Sequence, residues 1–161
     1  MRIGTYNVLG LRGYPREEAA GAIGKPGEDS NGAHFARVFA QLNCDILGLQ
    51  EGVASALMQT IARAMERHLA TIPSPLSCPG HVLSRYPVIE SRTFSHMVPD
   101  EHPPPYSRTC GAALLAIDDD TTLWVVGIHL HPHDEDLRVQ ESDLLRDRIE
   151  AIRSVTGNII V

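Results

Sequence analysis

Short apolar runs alternate with amphipathic stretches in the first part of the chain, a pattern typical of proteins that contain both strands and helices. Residues 2–8 and 45–50 are apolar runs without a helical period, and they predict two strands, the second mostly buried. Between them, apolar residues recur at helical spacing over 32–43 and predict a helix. The glycine-rich stretch at 9–31 predicts a long surface loop before that helix.

The alternation continues through the middle of the chain. Ser55 is predicted to cap a second helix, whose apolar face contains Leu57, Ile61, Ala64, Met65 and His68. Prolines and serines at 73–79 end that helix. Short strands are predicted after it, at 80–84 and 88–94, joined around Pro87.

The last third of the chain predicts a hairpin, a helix and a final strand. The prolines of 102–105 exclude this segment from a sheet interior, so it is predicted as a loop. Two strands should follow, joined by a turn of three aspartates and paired as a hairpin, at 109–117 and 122–130. A helix is predicted at 136–154, ended by Gly157, and an apolar strand at 158–161. The whole chain, 1–161, is predicted to be one domain. Because chains normally end in polar surface segments, its apolar last strand predicts that the fold of this domain is incomplete.

Composition and charge narrow the class of protein. Of the 161 residues, 43% are hydrophobic and 21% are charged, which is the balance of a globular domain. The start of the chain has no apolar secretory signal, and no window reaches the length of a membrane span. Three cysteines without metal-ligand spacing favour a reducing, cytoplasmic location. The net charge of −6 argues against non-specific binding of long nucleic acid and favours a small phosphoester substrate.

Three polar residues follow predicted strands, where the sites of layered α/β folds collect. Asn7 closes the first strand, Glu51 the second, and His129 the strand before 130. A carboxylate and a carboxamide are oxygen ligands for a hard cation such as Mg²⁺, and an imidazole suits a phosphate or leaving oxygen. Each residue alone is more simply explained as a turn or hydrogen-bonded residue. Only together do they indicate hydrolysis of phosphate esters.

Five ordered segments resemble the endonuclease/exonuclease/phosphatase superfamily. Residues 5–11 are similar to its opening T-(Y/W)-N-(V/I)-x-G-L, 45–51 to D-I-(L/I)-x-L-Q-E, and 82–88 to (I/L)-L-S-R-(Y/F)-P-(I/V). Residues 126–130 resemble V-x-x-T-H-L, with Ile128 in place of the usual Thr, and Arg138-Val139-Gln140 before the helix resembles R-x-x-Q-x-x-x-L. The segments span nearly the whole chain, which makes the resemblance specific.

The resemblance implies a deoxyribonuclease-like α/β/β/α four-layer sandwich, present to about its first half. We expect this chain to supply roughly the first sheet with its helices, and therefore to leave an apolar sheet face exposed. The family's later G-D-(F/L)-N and S-D-H motifs do not occur in these residues, so we expect the chain itself to hydrolyse phosphoesters poorly or not at all.

The resemblance also assigns roles to residues. It implies that Glu51, with Asn7, holds Mg²⁺ (or Mn²⁺), and that His129 is catalytic. Arg108, at a strand start, is expected to bind the substrate phosphate or to pair with a nearby acid, whereas Arg85 is expected to be a surface turn residue. The substrate could be a small molecule, a lipid headgroup or a nucleic acid.

Two alternatives remain open from the sequence. The first is a non-catalytic module that interacts with partners or self-associates through the exposed sheet face. The second is a zinc hydrolase, because the alternating His129, His131 and His133 are somewhat similar to the H-x-H-x-D-H motif of metallo-β-lactamase-fold proteins. Pro132 and the inverted order of His133 and Asp134 depart from that motif, which favours a solvated acidic loop for the last two histidines.

Overall fold

The computed structural model describes residues 1–11, 29–75, 78–95 and 106–161. Three helices lie in these segments: α1 (Asp29–Leu42), α2 (Ser55–Ala64) and α3 (Glu135–Arg153). Eight strands accompany them: β1 (Ile3–Asn7), β2 (Ile46–Gln50), β3 (His68–Ile72), β4 (Gly80–Ser84), β5 (Val88–Thr93), β6 (Cys110–Ala116), β7 (Thr122–Ile128) and β8 (Ile159–Ile160). The predicted loop at 102–105 and most of the one at 9–31 lie outside the described residues.

The strands form two four-stranded sheets. The first has the order β1-β2-β4-β3, with β1 and β2 parallel and the other pairs antiparallel. The second has the order β5-β6-β7-β8, in which only β7 and β8 run parallel. The predicted hairpin is confirmed, because β6 and β7 pair antiparallel along their whole lengths.

The alternation of side chains along the strands assigns each sheet face to a layer. In β2, Leu47 and Leu49 pack on α1 and α2, whereas Ile46 points to the other sheet. In β7, Leu123 and Val125 meet the first sheet, and the opposite face, with Trp124, packs on Ile152 of α3. The layers therefore follow the order helices, sheet, sheet, helix, as the four-layer α/β/β/α class requires.

The expectation that the chain supplies roughly the first sheet with its helices is wrong, because the structure contains two sheets. All seven predicted strands occur at the expected places in the sequence. However, β5, β6, β7 and β8 form a second sheet, whose inner face covers that of the first. No apolar inner face is left exposed among the described residues of these sheets. The apolar strand predicted at 158–161 is shorter than expected: β8 has two residues at the sheet edge, and Val161 after it is 61% exposed.

Two local predictions also need correction. The second helix was extended to His68, but α2 ends at Ala64, and His68 begins the unpredicted strand β3. Ser55 was predicted as the helix cap, whereas the cap position is Ala54, which makes no side-chain hydrogen bond. No helix in the described segments has the length and apolar character that crossing a membrane requires.

Candidate active site

Glu51 occupies a constrained backbone position immediately after β2. Its φ of 52° lies in the left-handed region, which costs a residue other than glycine on the order of 1–3 kcal/mol. The turn after β1 holds it there: the Gly10 N–H donates to the Glu51 carbonyl at 2.6 Å, and the Val8 N–H donates to the Gln50 carbonyl at 3.0 Å. Such strain persists only where surrounding contacts enforce it, and it is concentrated at functional sites.

The other side of Glu51 is fixed through the residues that follow it. The Gly52 N–H donates to the Pro79 carbonyl at 2.8 Å, and the His81 ring, which is buried, lies 3.0 Å through Nε2 from the Val53 carbonyl. Burial lowers the pKa of His81 to about 4, so this ring is neutral near pH 7. A neutral ring with Nε2–H donating leaves Nδ1 to accept the Thr71 hydroxyl hydrogen, 3.1 Å away.

Three predicted site residues meet at this end of the two sheets. An Arg108 guanidinium nitrogen lies 3.1 Å from Oε1 of Glu51, and Nε2 of His129 lies 3.6 Å from the same oxygen. The three side chains are 17–21% exposed, so they are partly shielded but open to a ligand. Sequence position alone placed Glu51 and His129 together, and the structure brings them into contact.

Arg108 and His129 reach this point because of how the second sheet begins and ends. Cys110, the first residue of β6, is paired with Ile128, the last residue of β7. The His129 N–H continues that ladder by donating to the Thr109 carbonyl at 2.7 Å. The start of one strand and the end of the next therefore present their flanking side chains at one edge.

Asn7 lies at the same end of the first sheet, next to the residue that precedes Glu51. It is the last residue of β1 and is in register with Gln50 of β2. Its side-chain oxygen accepts the Leu9 N–H at 3.0 Å, so it shapes the turn that leads to Gly10. A carboxamide oxygen has two lone pairs, so the Asn7 oxygen can still bind a cation or accept a second hydrogen bond.

The charges in this cluster favour a neutral His129. Burial is the largest cause that lowers the pKa of His129, the Arg108 cation lowers it further, and the carboxylates of Glu51 and Glu141 oppose both effects. Its Nδ1 is buried and has no hydrogen-bond partner among the described residues. The arrangement thus combines one anion, one permanent cation and one uncharged imidazole.

Solved structures share this architecture. An endonuclease/exonuclease/phosphatase family protein from Bacteroides thetaiotaomicron covers 98% of this chain at 15% identity, with a TM-score of 0.66. A mannosyl-6-phosphatase from the same species matches equally well, and TDP2 from Caenorhabditis elegans covers 80% of the chain at 16% identity, with a TM-score of 0.59. The chain has the endonuclease/exonuclease/phosphatase fold.

The likeness is one of structure, and it is partial in length. The chain spans 60%, 62% and 51% of those three structures, in the order given. No protein-family model matches the sequence, and no curated protein matches it. At identities below 20% the shared fold is what the comparison establishes, and the chemistry has to be argued from the site.

One buried residue of the endonuclease/exonuclease/phosphatase fold was missed from the sequence. The R-x-x-Q resemblance was assigned to Arg138 and Gln140, but the residue three positions after Arg138 is Glu141. Gln140 is exposed, whereas Glu141 is buried and bonded to both loops of the second sheet that reach the site. Counting the spacing strictly would have pointed to it.

The histidine cluster does not support the zinc interpretation. His131 uses Nδ1 to accept the Asp134 N–H at 2.9 Å, and the exposed His133 lies in the turn before α3. Within the described segments, no group of three His, Cys, Asp or Glu side chains could hold a metal ion. Arg85 behaves as expected for a surface residue, since it pairs with Asp45 at 3.0 Å.

Proposed function

We propose that this chain carries part of a site for divalent-metal-dependent hydrolysis of phosphate esters. The observation that carries the proposal is the convergence of Arg108 and His129 on one carboxylate oxygen of Glu51, at the end of two packed sheets. A fold shared with a mannosyl-6-phosphatase supports the same chemistry. The substrate class is a phosphomonoester or phosphodiester.

Arg108 is the proposed phosphate-binding group. Its guanidinium is permanently charged and can donate two parallel hydrogen bonds to phosphate oxygens, which makes it a strong and directional ligand. It is 21% exposed and already oriented by Glu51, so little side-chain freedom is lost when an anion binds beside it. The net charge of −6 favours a small phosphoester over a long nucleic acid.

His129 is the proposed catalytic residue. As a neutral imidazole, it can donate a hydrogen bond to a phosphate oxygen or to the leaving oxygen. Its position 3.6 Å from the carboxylate that Arg108 contacts puts it within reach of a phosphate held by Arg108. Partial burial keeps this donor in a region of low dielectric, where its interaction with developing charge is stronger.

The residues present fit a hard cation such as Mg²⁺ or Mn²⁺. Both contacts of the Glu51 carboxylate fall on Oε1, which leaves Oε2 without a partner among the described residues and able to bind a cation. Asn7 is the proposed second oxygen ligand. Mg²⁺ is often held by one or two protein oxygens, with water and substrate phosphate completing the shell. When bound, such an ion polarises the phosphate.

We expect slow turnover by this chain itself. The described segments place no third acidic or imidazole group with Glu51 and His129. Because His129 is assigned to hydrogen-bond donation, we propose no further residue of these segments as the base for the attacking water. Loss of a general base typically lowers a rate by about 10²–10⁴. Binding of phosphate is therefore a more direct test of the proposal than hydrolysis.

The test is a titration with inorganic phosphate at saturating Mg²⁺, followed by NMR of arginine side chains or by calorimetry. Arg108→Ala should weaken phosphate binding by about tenfold or more, because a charge-assisted contact is lost. Arg85→Ala is the matched control, since it removes an arginine paired with Asp45 on another part of the surface, and it should change the affinity less than twofold. Equal effects of the two variants would contradict the proposed site.

The cytoplasmic location stays a prediction that the cysteines support. Cys44, Cys78 and Cys110 are all free thiols, as expected for a protein kept in a reducing compartment.

Burial raises the pKa of the Cys110 thiol to about 12, so this cysteine is not a candidate nucleophile near neutral pH.

A further inference from the structure

Glu141 is a buried carboxylate on a helix whose other acidic residues face solvent. It is only 3% exposed. A buried carboxylate is costly unless hydrogen bonds compensate for its lost hydration, and replacement by an apolar residue is often as stable. The helix already packs on the second sheet through Ile152 and Leu145. Attachment of α3 therefore does not by itself account for a charge at position 141.

The two oxygens of Glu141 hold two different loops. Oε1 accepts the Ser107 N–H at 2.7 Å and the Ser107 hydroxyl at 2.6 Å. Oε2 accepts the His131 N–H at 2.8 Å, and the Arg138 guanidinium donates to the His131 carbonyl at 3.3 Å. Each loop is thus tied to α3 by charge-assisted bonds, which are stronger than neutral ones.

These two loops are the ones that present the proposed phosphate ligands. Ser107 immediately precedes Arg108, and His131 lies two residues after His129. Fixing Ser107 and His131 to one rigid carboxylate fixes the separation of the loops. That separation determines whether Arg108 and His129 both reach Glu51.

We infer that Glu141 is a positioning residue, which sets Arg108 and His129 at the Glu51 carboxylate without contacting the ligand. The part of this inference that concerns phosphate rests on the proposed function. The part that concerns the two loops rests only on the hydrogen bonds of Glu141. The two parts can fail separately.

The experiment compares Glu141→Ala with Ile152→Ala. Ile152 is fully buried on the same helix, about 16 Å along its axis from Glu141, so its substitution lowers stability without touching either loop. Amide hydrogen exchange at 107 and 131 reports loop order, and titration with inorganic phosphate and Mg²⁺ reports the ligand site.

Glu141→Ala should speed exchange of both amides at least tenfold relative to the amides of β6 and β7, and should weaken phosphate binding at least tenfold. Ile152→Ala should leave the relative exchange and the affinity within about twofold. The inference is overturned if both amides keep their protection against exchange in Glu141→Ala. It is also overturned if Ile152→Ala loses as much amide protection and phosphate affinity as Glu141→Ala. If the unsubstituted chain binds no phosphate, the proposed function fails and the exchange data alone decide the role of Glu141.

Glu141→Gln provides a second variant if the alanine chain does not fold. An amide has one acceptor oxygen, so it can satisfy the Ser107 donors or the His131 donor, and its NH₂ then faces the other. We expect one of the two loop amides to lose protection against exchange. The phosphate affinity should lie between that of the unsubstituted chain and that of Glu141→Ala. If both amides stay fully protected in the glutamine variant, the two oxygens of the Glu141 carboxylate are not needed to hold the loops.

Discussion

The two sheets hold their halves of the site by different means. At the end of the first sheet, main-chain hydrogen bonds from Gly10 and Gly52 fix the backbone around Glu51 in its left-handed conformation. At the end of the second sheet, one side chain, Glu141, ties down the loops that present Arg108 and His129. The half of the site at the first sheet depends on backbone geometry, so we expect it to be sensitive to changes in packing and pH. The half at the second sheet depends on one carboxylate, so we expect it to be sensitive to the loss of that hydrogen-bond acceptor.

The largest expected effect is the pH dependence that His81 gives to the first half. An unfolded histidine has a pKa near 6.5, and burial lowers the pKa of His81 to about 4. Between these values the unfolded chain binds a proton that the folded chain does not. The free energy of unfolding should therefore fall as the pH drops from about 6.5 to 4, by about 3 kcal/mol in all.

Urea unfolding at several pH values, with His81→Gln beside the unsubstituted chain, measures this contribution. Glutamine keeps polar atoms near Thr71 and Val53 but does not titrate. The stability difference between the two chains should shrink steadily as the pH falls through this window. Parallel pH profiles would show that the His81 ring does not stay neutral in the fold.

A smaller effect is expected from Gly52→Ala. A Cβ at this position would overlap the His81 ring and would lie 2.9 Å from the Pro79 carbonyl oxygen. Relieving that overlap should cost about 2 kcal/mol of stability, in the usual range for overpacked sites. At Gly157 a Cβ would meet nothing within 4 Å, so Gly157→Ala is the control and should change stability by less than about 0.5 kcal/mol.

The smallest stability effect is expected in the second half, from Ser107→Ala. It removes one hydroxyl bond to Glu141 and keeps the main-chain bond, so about 1 kcal/mol should be lost. Phosphate affinity should nevertheless fall about threefold, because the neighbouring Arg108 becomes less well held. Ser142→Ala, whose hydroxyl bonds only to its own helix at the Arg138 carbonyl, is the control for both measurements. The comparison between the two halves breaks if Ser107→Ala lowers phosphate affinity no more than Ser142→Ala does.

The sequence predicted the strand ends well because each is a short apolar run that stops at a polar residue. Asn7, Glu51 and His129 all follow such runs, and neighbouring strands bring their ends together. Assignment of strands to sheets could not be predicted in the same way. The residues of β6 are apolar on both faces, so the pattern shows burial but not which sheet or helix covers each face.

Two failures have specific physical causes. Leu69 and Ile72 continue an apolar spacing that resembles helix, and tertiary pairing with β4 turned that segment into β3. Glu141 lies among the charged residues of α3, and its partner Ser107 is 34 positions away in sequence. A local pattern cannot distinguish a carboxylate that faces water from one that accepts three hydrogen bonds from two separate loops.

The most direct test of the central claim is the location of the bound cation. Mn²⁺ broadens NMR signals of nuclei near it, and titration into the chain with inorganic phosphate present would report where it binds. We predict selective broadening at the amides of Asn7 and Gly52 and at the His129 ring, and loss of that effect in Glu51→Gln. Broadening concentrated on the acidic residues at the start of α3, at 134–136, would contradict a metal-dependent phosphate site at the ends of the two sheets. Broadening that Glu51→Gln leaves unchanged would contradict it as well.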